Sequence, residues 1–191
     1  MNSFITKLNV TADLPQMTTD LEEILKVCPW PERQLFNGQT YPANQLGITY
    51  RPGSTIPWID AGGSLIDPKT GQIFGYESDF TELNPAVPDS LKDALSRLSS
   101  AENTKFGRIR FMRLMPKTGL TVHADFETRY HYVIKTNPNS FFGEKIDENE
   151  VAAVCYHVPA DGHFYHVDTT RPHFVYNGGW EPRIHLVICK V

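Results

Sequence analysis

No run of about 18 apolar residues, the length at which a membrane-spanning helix becomes credible, occurs anywhere in the 191 residues. The opening stretch MNSFITKLNVTADLPQ also lacks a basic start followed by an apolar core of about 7–15 residues, so it does not read as a secretion signal. The expectation is a cytoplasmic protein with no membrane partner. Cysteine is scarce. The three present, Cys28, Cys155 and Cys189, are odd in number and show no CxxC spacing, which argues against a disulfide framework or a zinc knuckle and for reduced thiols. Cys155 and Cys189 fall inside apolar, strand-like patterns and are expected to be buried. An excess of positive charge is missing too: 18 Lys and Arg stand against 22 Asp and Glu, with a net charge of -4 and a pI near 6.0. That balance gives no general attraction to nucleic acid or to an anionic membrane surface. There is no internal repeat and no low-complexity linker, so the 191 residues, 40% hydrophobic and 21% charged, are read as one domain, 1–191.

Histidine is absent from the first 122 residues, and all seven (123, 131, 157, 163, 166, 173 and 185) come after them. The two parts of the chain differ in pattern as well. The first contains two predicted helices. One is signalled by Thr19 and Glu22 in capping-box spacing, with Leu21, Ile24 and Leu25 on one face until Cys28-Pro29 stops it. The second follows Pro88-Asp89, with Leu91, Ala94, Leu95 and Leu98 on one face. Both are expected to cover a sheet. Residues 29–88 between them are rich in Pro, Gly, Asn and aromatics, which suits short strands and long loops; they form either a substrate-facing region or edge connections packed against the core.

From Lys105 the period becomes two. FGRIRFMRLMP puts Arg108, Arg110 and Met112 on one face and Ile109, Phe111 and Arg113 on the other. Either Arg110 or Arg113 could point into a cavity and meet a carboxylate, although strand arginines usually face solvent or pair within the sheet. Further strands are predicted at Arg129–Thr136, Val151–Val158, His163–Val167, His173–Asn177 and Arg183–Val191, separated by turn clusters such as Asn137-Pro138-Asn139 and Asn177-Gly178-Gly179. Many short strands, with helices confined to the first part, indicate a mainly β fold with flanking helices: an antiparallel sandwich or jelly roll.

The chemistry is expected in the stretch LTVHADFETRYHYVIKT. In an extended strand, His123 and Asp125 lie two apart, project to one side and can hold one ion together. A His-x-Asp triplet is common by chance, and its weight comes from the clustering of histidines around it. Two imidazoles and one carboxylate on one side of a metal, with the remaining positions open, suit non-haem Fe(II) oxygen chemistry. A third ligand is needed, and the distal segment offers both His166 and His173.

Taken together, the hydrophobic strand with His-x-Asp, the motif Arg-Tyr-His-Tyr-Val-Ile, the distal His-x-Val-x-Asn-Gly and the motif Arg-Ile-His-Leu-Val-Ile resemble the aspartyl/asparaginyl β-hydroxylase family. That family belongs to the 2-oxoglutarate- and Fe(II)-dependent oxygenases, and its smaller members include free L-proline hydroxylases. The resemblance covers about Gly107 to Val191. It implies a double-stranded β-helix, a cupin-like jelly roll, with residues 106–191 as the metal-binding core and 1–105 as flanking helices and loops shaping the substrate pocket. It selects His173 over His166, giving His123, Asp125 and His173 as catalytic metal ligands. It also implies Fe(II), 2-oxoglutarate as co-substrate, and O2. Arg183 is implied as the clamp for the 2-oxoglutarate tail, with His131 and Arg129 near its metal-bound end. His185 shares a face with Arg183 and is expected to support it; His157, His163 and His166 are expected to be structural or at the surface.

The implied activity is a dioxygenase that couples breakdown of 2-oxoglutarate to succinate and CO2 with hydroxylation of an unactivated C–H bond. The substrate is either a small molecule, an amino acid such as proline, or an Asp, Asn or Pro residue in a peptide. A carboxylate at Asp125 favours hydroxylation over halogenation, which in related enzymes goes with a small residue there. A non-catalytic cupin-like binding module and a non-oxygenase metal cupin are the alternatives, and neither requires His123, Asp125, His173 and Arg183 together.

Overall fold

The computed structural model describes residues 3–32, 34–36, 39–41, 43–67, 69–146 and 152–191, with the backbone alone for 34–36 and 39–41. In chain order the elements begin with β1 (Ile5–Thr11), α1 (Leu14–Val27), β2 (Gln34–Phe36), β3 (Gln39–Tyr41), β4 (Gln45–Gly47), β5 (Thr49–Tyr50), α2 (Pro57–Asp60), a single 3-10 turn (Glu77–Asp79) and β6 (Glu82–Leu83). They continue with α3 (Asp89–Glu102), β7 (Phe106–Leu114), β8 (Thr118–His123), β9 (Arg129–Lys135), β10 (Ser140–Lys145), β11 (Ala153–Tyr156), β12 (His163–Val167), β13 (His173–Asn177) and β14 (Arg183–Lys190). A six-stranded sheet runs β1-β12-β9-β14-β7-β4, and a four-stranded sheet runs β11-β10-β13-β8. Neighbouring strands pair antiparallel throughout both. This is the jelly-roll arrangement of a double-stranded β-helix, with helices on one outer face.

Side-chain alternation divides the larger sheet cleanly. Ile109 and Phe111 of β7, Tyr130, Tyr132 and Ile134 of β9, and Leu186 and Ile188 of β14 join Met17, Leu21 and Ile24 of α1 and Leu91, Leu95 and Leu98 of α3 in one buried cluster. Each such leucine contributes roughly 2 kcal/mol by leaving water. The opposite parity, Val133 of β9 with Tyr165 and Val167 of β12, packs on Phe142 of β10 and Val175 of β13, and this second cluster joins the two sheets. The polar residues of that same inward parity, Arg129, His131, Arg183 and His185, are therefore delivered between the sheets rather than to the helices.

α3 has the predicted apolar face: Leu91, Ala94, Leu95 and Leu98 are all buried, and Asn103 in the left-handed conformation closes the helix by donating its backbone N–H to Ser99 and Ser100 carbonyls. α1 starts earlier than its capping-box signal. Its N-cap is Asp13, whose side chain accepts from the Gln16 backbone N–H at 2.9 Å, while the Thr18 and Thr19 hydroxyls bond back to the Leu14 and Pro15 carbonyls. Met17 extends the buried face toward the N-terminus, so packing moved the boundary. β10, which pairs with both β11 and β13, carries no alternation strong enough to signal it. Val151, the first residue of the strand predicted up to Val158, lies outside the described residues, and the strand observed there is β11. Cys189 is buried as expected, whereas Cys155 is exposed, because β11 lies at the edge of the smaller sheet. Two edge strands of the larger sheet, β1 and β4, come from the first 105 residues.

Asn177, at the end of β13, is fully buried and ties the turn region together. Its Nδ2 donates to the carbonyls of Leu114, Met115 and Glu181, and its Oδ1 accepts from Asn137 Nδ2, Ser140 Oγ and the Gly179 backbone N–H. Among the described residues no helix is long and apolar enough to cross a membrane.

Candidate metal centre and its two cavities

His123 ends β8, His173 begins β13, and the two stand opposite each other in the ladder between those strands. Asp125 lies just past the end of β8, so it is not brought to His123 by strand alternation; the loop carries it there. Its backbone N–H donates to the Thr169 carbonyl at 2.8 Å, and the Thr169 hydroxyl donates to the Glu127 carbonyl at 2.7 Å, fixing the loop on both sides. One potential ligand atom from each of His123, Asp125 and His173 lies within 4.8 Å of the others.

The rings are set for ligation. His123 Nδ1–H donates to the Thr121 carbonyl at 2.7 Å and His173 Nδ1–H to the Arg171 carbonyl at 2.9 Å, which leaves each Nε2 lone pair toward the carboxylate. His123 Nε2 is 3.9 Å from Asp125 Oδ1 and His173 Nε2 is 3.8 Å from Oδ2. Burial lowers the pKa of His173, favouring the neutral ring that a metal requires. Asp125 Oδ1 accepts from Arg129 Nη2 at 2.8 Å, while Oδ2 is buried without a hydrogen-bond partner among the described residues. A buried carboxylate whose two oxygens each face an imidazole lone pair, one of them with no donor, is costly unless a cation sits among them. The donor set fits Fe(II): two nitrogens and one oxygen, with the remaining side open.

An inner cavity of about 250 Å³ lies between the sheets, lined by His123 and His173 at one end and by Arg183, His131, Phe142 and Val187 deeper in. Arg183 is 5% exposed, and its guanidinium carbon stacks 4.8 Å from the Phe142 ring centre. Nη2 donates to His185 Nδ1 at 3.2 Å, and no carboxylate lies within ion-pair distance of Arg183 among the described residues. Burial pulls its pKa down to about 9, still protonated at neutral pH. His131 and His185 are held well below the ordinary imidazole range by burial and by Arg183, so both are neutral; their Nδ1 atoms are 3.4 Å apart, and each Nε2 lacks a partner among the described residues. A buried, charged fork in a cavity that is also lined by two of the metal ligands fits a dicarboxylate co-substrate.

An outer cavity of about 540 Å³ shares Gln45, Met112, Leu120, His123 and Arg129 with the inner one. Its wall is heavily charged. Glu77, on the 3-10 turn, accepts from Arg129 Nη2 at 3.2 Å and has Arg108 Nη1 at 3.6 Å. Burial works to raise the Glu77 pKa, but Arg108, Arg110 and Arg129 outweigh it and hold the carboxyl below its ordinary range. Arg108 also donates from Nε and Nη2 to the Ala61 and Gly63 carbonyls.

The structure thus gathers His123, Asp125 and His173 at one point, with His131 and Arg183 in the inner cavity. Arg129 stands between the cavities and is already bonded to Asp125 and Glu77. His166 packs edge-on to Tyr130, on the helix side of the sheet, and is removed from the triad. His157 and His163 bond to backbone carbonyls of Ser140 and Leu8. Arg113 is held by Asn44 Oδ1 and stacks 4.7 Å from Trp30, and Trp180 is 81% exposed beneath Lys117. Glu77 carried no signal in the sequence, since a single 3-10 turn has no periodicity. Arg108 and Arg110 were visible as one face of a strand, but their burial was not.

A family model described as aspartyl/asparaginyl beta-hydroxylase matches residues 69–190. No curated protein matches the chain. In structure the chain is similar to a prolyl hydroxylase from Trichoplax adhaerens, solved in complex with a hypoxia inducible factor oxygen degradation domain peptide fragment. The TM-score is 0.55 at 11% identity, over 99% of this chain and 84% of that one. A Pseudomonas putida prolyl-4-hydroxylase matches with TM-score 0.55 and 13% identity, over 98% and 91%. A 2OG-Fe(II) oxygenase family oxidoreductase from Burkholderia pseudomallei matches with TM-score 0.45 and 16% identity over 57% of this chain, which spans 60% of that protein. At these identities the likeness to the two prolyl hydroxylases speaks for a shared fold.

Proposed function

Because the chain belongs to the aspartyl/asparaginyl β-hydroxylase family, we propose that it is a 2-oxoglutarate- and Fe(II)-dependent dioxygenase hydroxylating an unactivated C–H bond of a small molecule or a peptide residue. The observation that carries this reading is the set His123, Asp125 and His173, with two imidazole nitrogens turned toward one carboxylate whose Oδ2 is buried and unpartnered among the described residues. The bound iron with its keto-acid co-substrate supplies the O2 activation that no side chain can perform.

The chain's own residues supply position and electrostatics. His123 and His173 hold their lone pairs on the metal side through the hydrogen bonds from Nδ1. Arg129 fixes one oxygen of Asp125 and leaves the other to the ion. Arg183 takes the distal carboxylate of 2-oxoglutarate, its planar fork matching two oxygens where a lysine would offer a point charge. His185, neutral and accepting from Arg183 Nη2, orients that fork. His131 offers an otherwise unused Nε2 to the co-substrate from the cavity wall. Phe142 and Val187 keep this inner space apolar, which strengthens each charge-assisted contact. In this reading the whole chain is one oxygenase domain: residues 106–191 carry the centre, and residues 1–105 contribute the far wall of the outer cavity.

The test is anaerobic titration of the apoprotein with Fe(II) and then 2-oxoglutarate, followed in the visible metal-to-ligand band, and then admission of O2 with a succinate assay. A band that needs both additions is expected. No band, with Fe(II) not retained, would remove the oxygenase reading in favour of a binding module.

A further inference from the structure

The charges lining the outer cavity do not balance. Arg129 is bonded to Asp125 and Glu77, and Arg108 approaches Glu77, so two guanidiniums already share the two carboxylates. Arg110 is left over. It is 4% exposed, on the inward face of β7, and lines the same cavity. Its contacts are Nη1 to the Ala61 carbonyl at 3.1 Å and Nε to the weak acceptor Met112 Sδ at 3.3 Å. Among the described residues no carboxylate lies within ion-pair distance of it, and Nη2 has no partner. Glu77 lies near enough to interact with it electrostatically, but a buried guanidinium with no ion pair and a free Nη2 is incompletely compensated, and what meets it best is a planar anion accepting two parallel N–H bonds. The cavity is about 540 Å³ and reaches His123 and Asp125, so an anion held on Arg110 places the rest of a small molecule, or one side chain of a larger one, beside the metal ligands.

We propose that the outer cavity is the primary-substrate site and that Arg110 selects substrates carrying a carboxylate. This inference rests on the oxygenase reading above. Glu77 serves it indirectly: its ion pairs are with Arg129 and Arg108, and Arg110, although within its field, makes no ion pair with it and keeps Nη2 for the ligand. Arg113, on the other face of β7, is engaged by Asn44 and Trp30 and does not compete for that role.

The experiment uses the whole 191-residue chain, loaded anaerobically with Fe(II) and 2-oxoglutarate, and follows the perturbation of the visible band by added compounds. The panel pairs free amino acids with their primary amides and adds a peptide with both termini blocked and one internal Asp. The expected result is a saturable perturbation by at least one carboxylate compound, with the matched amide about tenfold weaker or worse. Arg110→Met is expected to weaken that carboxylate by about 10- to 150-fold, and its amide far less. Arg110→Lys is expected to retain part of the preference.

A response to free amino acids identifies the carboxylate as that of a small molecule, and a response to the blocked peptide alone identifies it as a peptide side chain; both support the proposal. Amides binding as well as acids in the unmodified protein would overturn it, as would silence across the panel or an unchanged acid-to-amide ratio in Arg110→Met. The acid-to-amide ratio of the unmodified protein decides the matter even if the variants fail to fold. Absence of the band before any compound is added would instead refute the oxygenase reading, and the proposal with it.

Discussion

His173 faces His123 directly across the ladder between β13 and β8, with ring centres 4.4 Å apart. One strand register thus sets both imidazoles, although 50 residues separate them in the chain. Asp125 joins them only because its loop is tied to Thr169. Single substitutions His123→Ala, Asp125→Ala and His173→Ala are each expected to abolish turnover and stoichiometric retention of Fe(II). Metal content after desalting, with succinate release, checks this. Full activity in Asp125→Ala would count heavily against a three-residue centre.

Arg183→Ala should chiefly raise the 2-oxoglutarate requirement. A charge-assisted contact worth roughly 1.5–3 kcal/mol corresponds to about a 10- to 150-fold higher concentration for half-maximal rate. Saturation curves for the co-substrate at fixed iron measure it. An unchanged requirement would take Arg183 out of its role.

The buried neutral histidines make stability depend on pH. His131 and His185 are held far below the ordinary value of 6.5, chiefly by burial, so the unfolded chain takes up protons that the folded one refuses. Their stabilising effect is complete above about pH 6.5 and is lost progressively as the pH falls below it, by up to about 1.4 kcal/mol per pH unit for each ring. Denaturant midpoints of the apoprotein between about pH 8 and 5 should fall accordingly. His185→Leu is expected to flatten the slope; a slope identical to that of the unmodified protein would contradict this account.

Gly107 is the close-approach point on which the outer cavity depends. A Cβ there would lie 2.0 Å from the Glu77 carbonyl oxygen, a backbone atom that no rotamer can move aside. Gly107→Ala should therefore cost at least about 1–3 kcal/mol and shift Glu77 away from Arg108. The loss is read in thermal unfolding. Substrate affinity should fall in the same variant even where 2-oxoglutarate still binds.

Asn177→Ala strands three backbone carbonyls and three donors in a buried place, and a loss of about 3 kcal/mol or more is expected. Chemical denaturation gives the value. A loss under about 1 kcal/mol would mean that the network relaxes around the gap.

The sequence made the inward face of the larger sheet readable wherever period-two alternation was strong. Arg129, His131 and Val133 could be grouped, as could Arg108, Arg110 and Met112, and both groups share a face in the structure. α3 was equally plain, from four apolar residues at helical spacing. Other features depend on contacts distant in sequence. Asp125 reaches His123 through a loop anchored on Thr169, not through a strand. Glu77 enters the outer cavity from a single turn that leaves no pattern. β10 was hidden because SFFGEK alternates poorly, Gly143 standing there to admit the Phe174 ring, which a Cβ would meet at 2.1 Å. The start of α1 is not legible because Thr18 and Thr19, which resemble caps, bond backward inside the helix.

β14 follows every other strand in chain order, yet it lies in the interior of the larger sheet, paired with β9 on one side and β7 on the other. Without it, among the described residues, β1, β12 and β9 have no ladder connection to β7 and β4. Assembly of that sheet therefore depends on the segment carrying Arg183 and His185. Before it pairs, the facing flanks of β9 and β7 carry backbone N–H and C=O groups without their ladder partners. The residues that close the inner cavity are thus also the ones whose arrival ends the period of greatest exposure to misassociation.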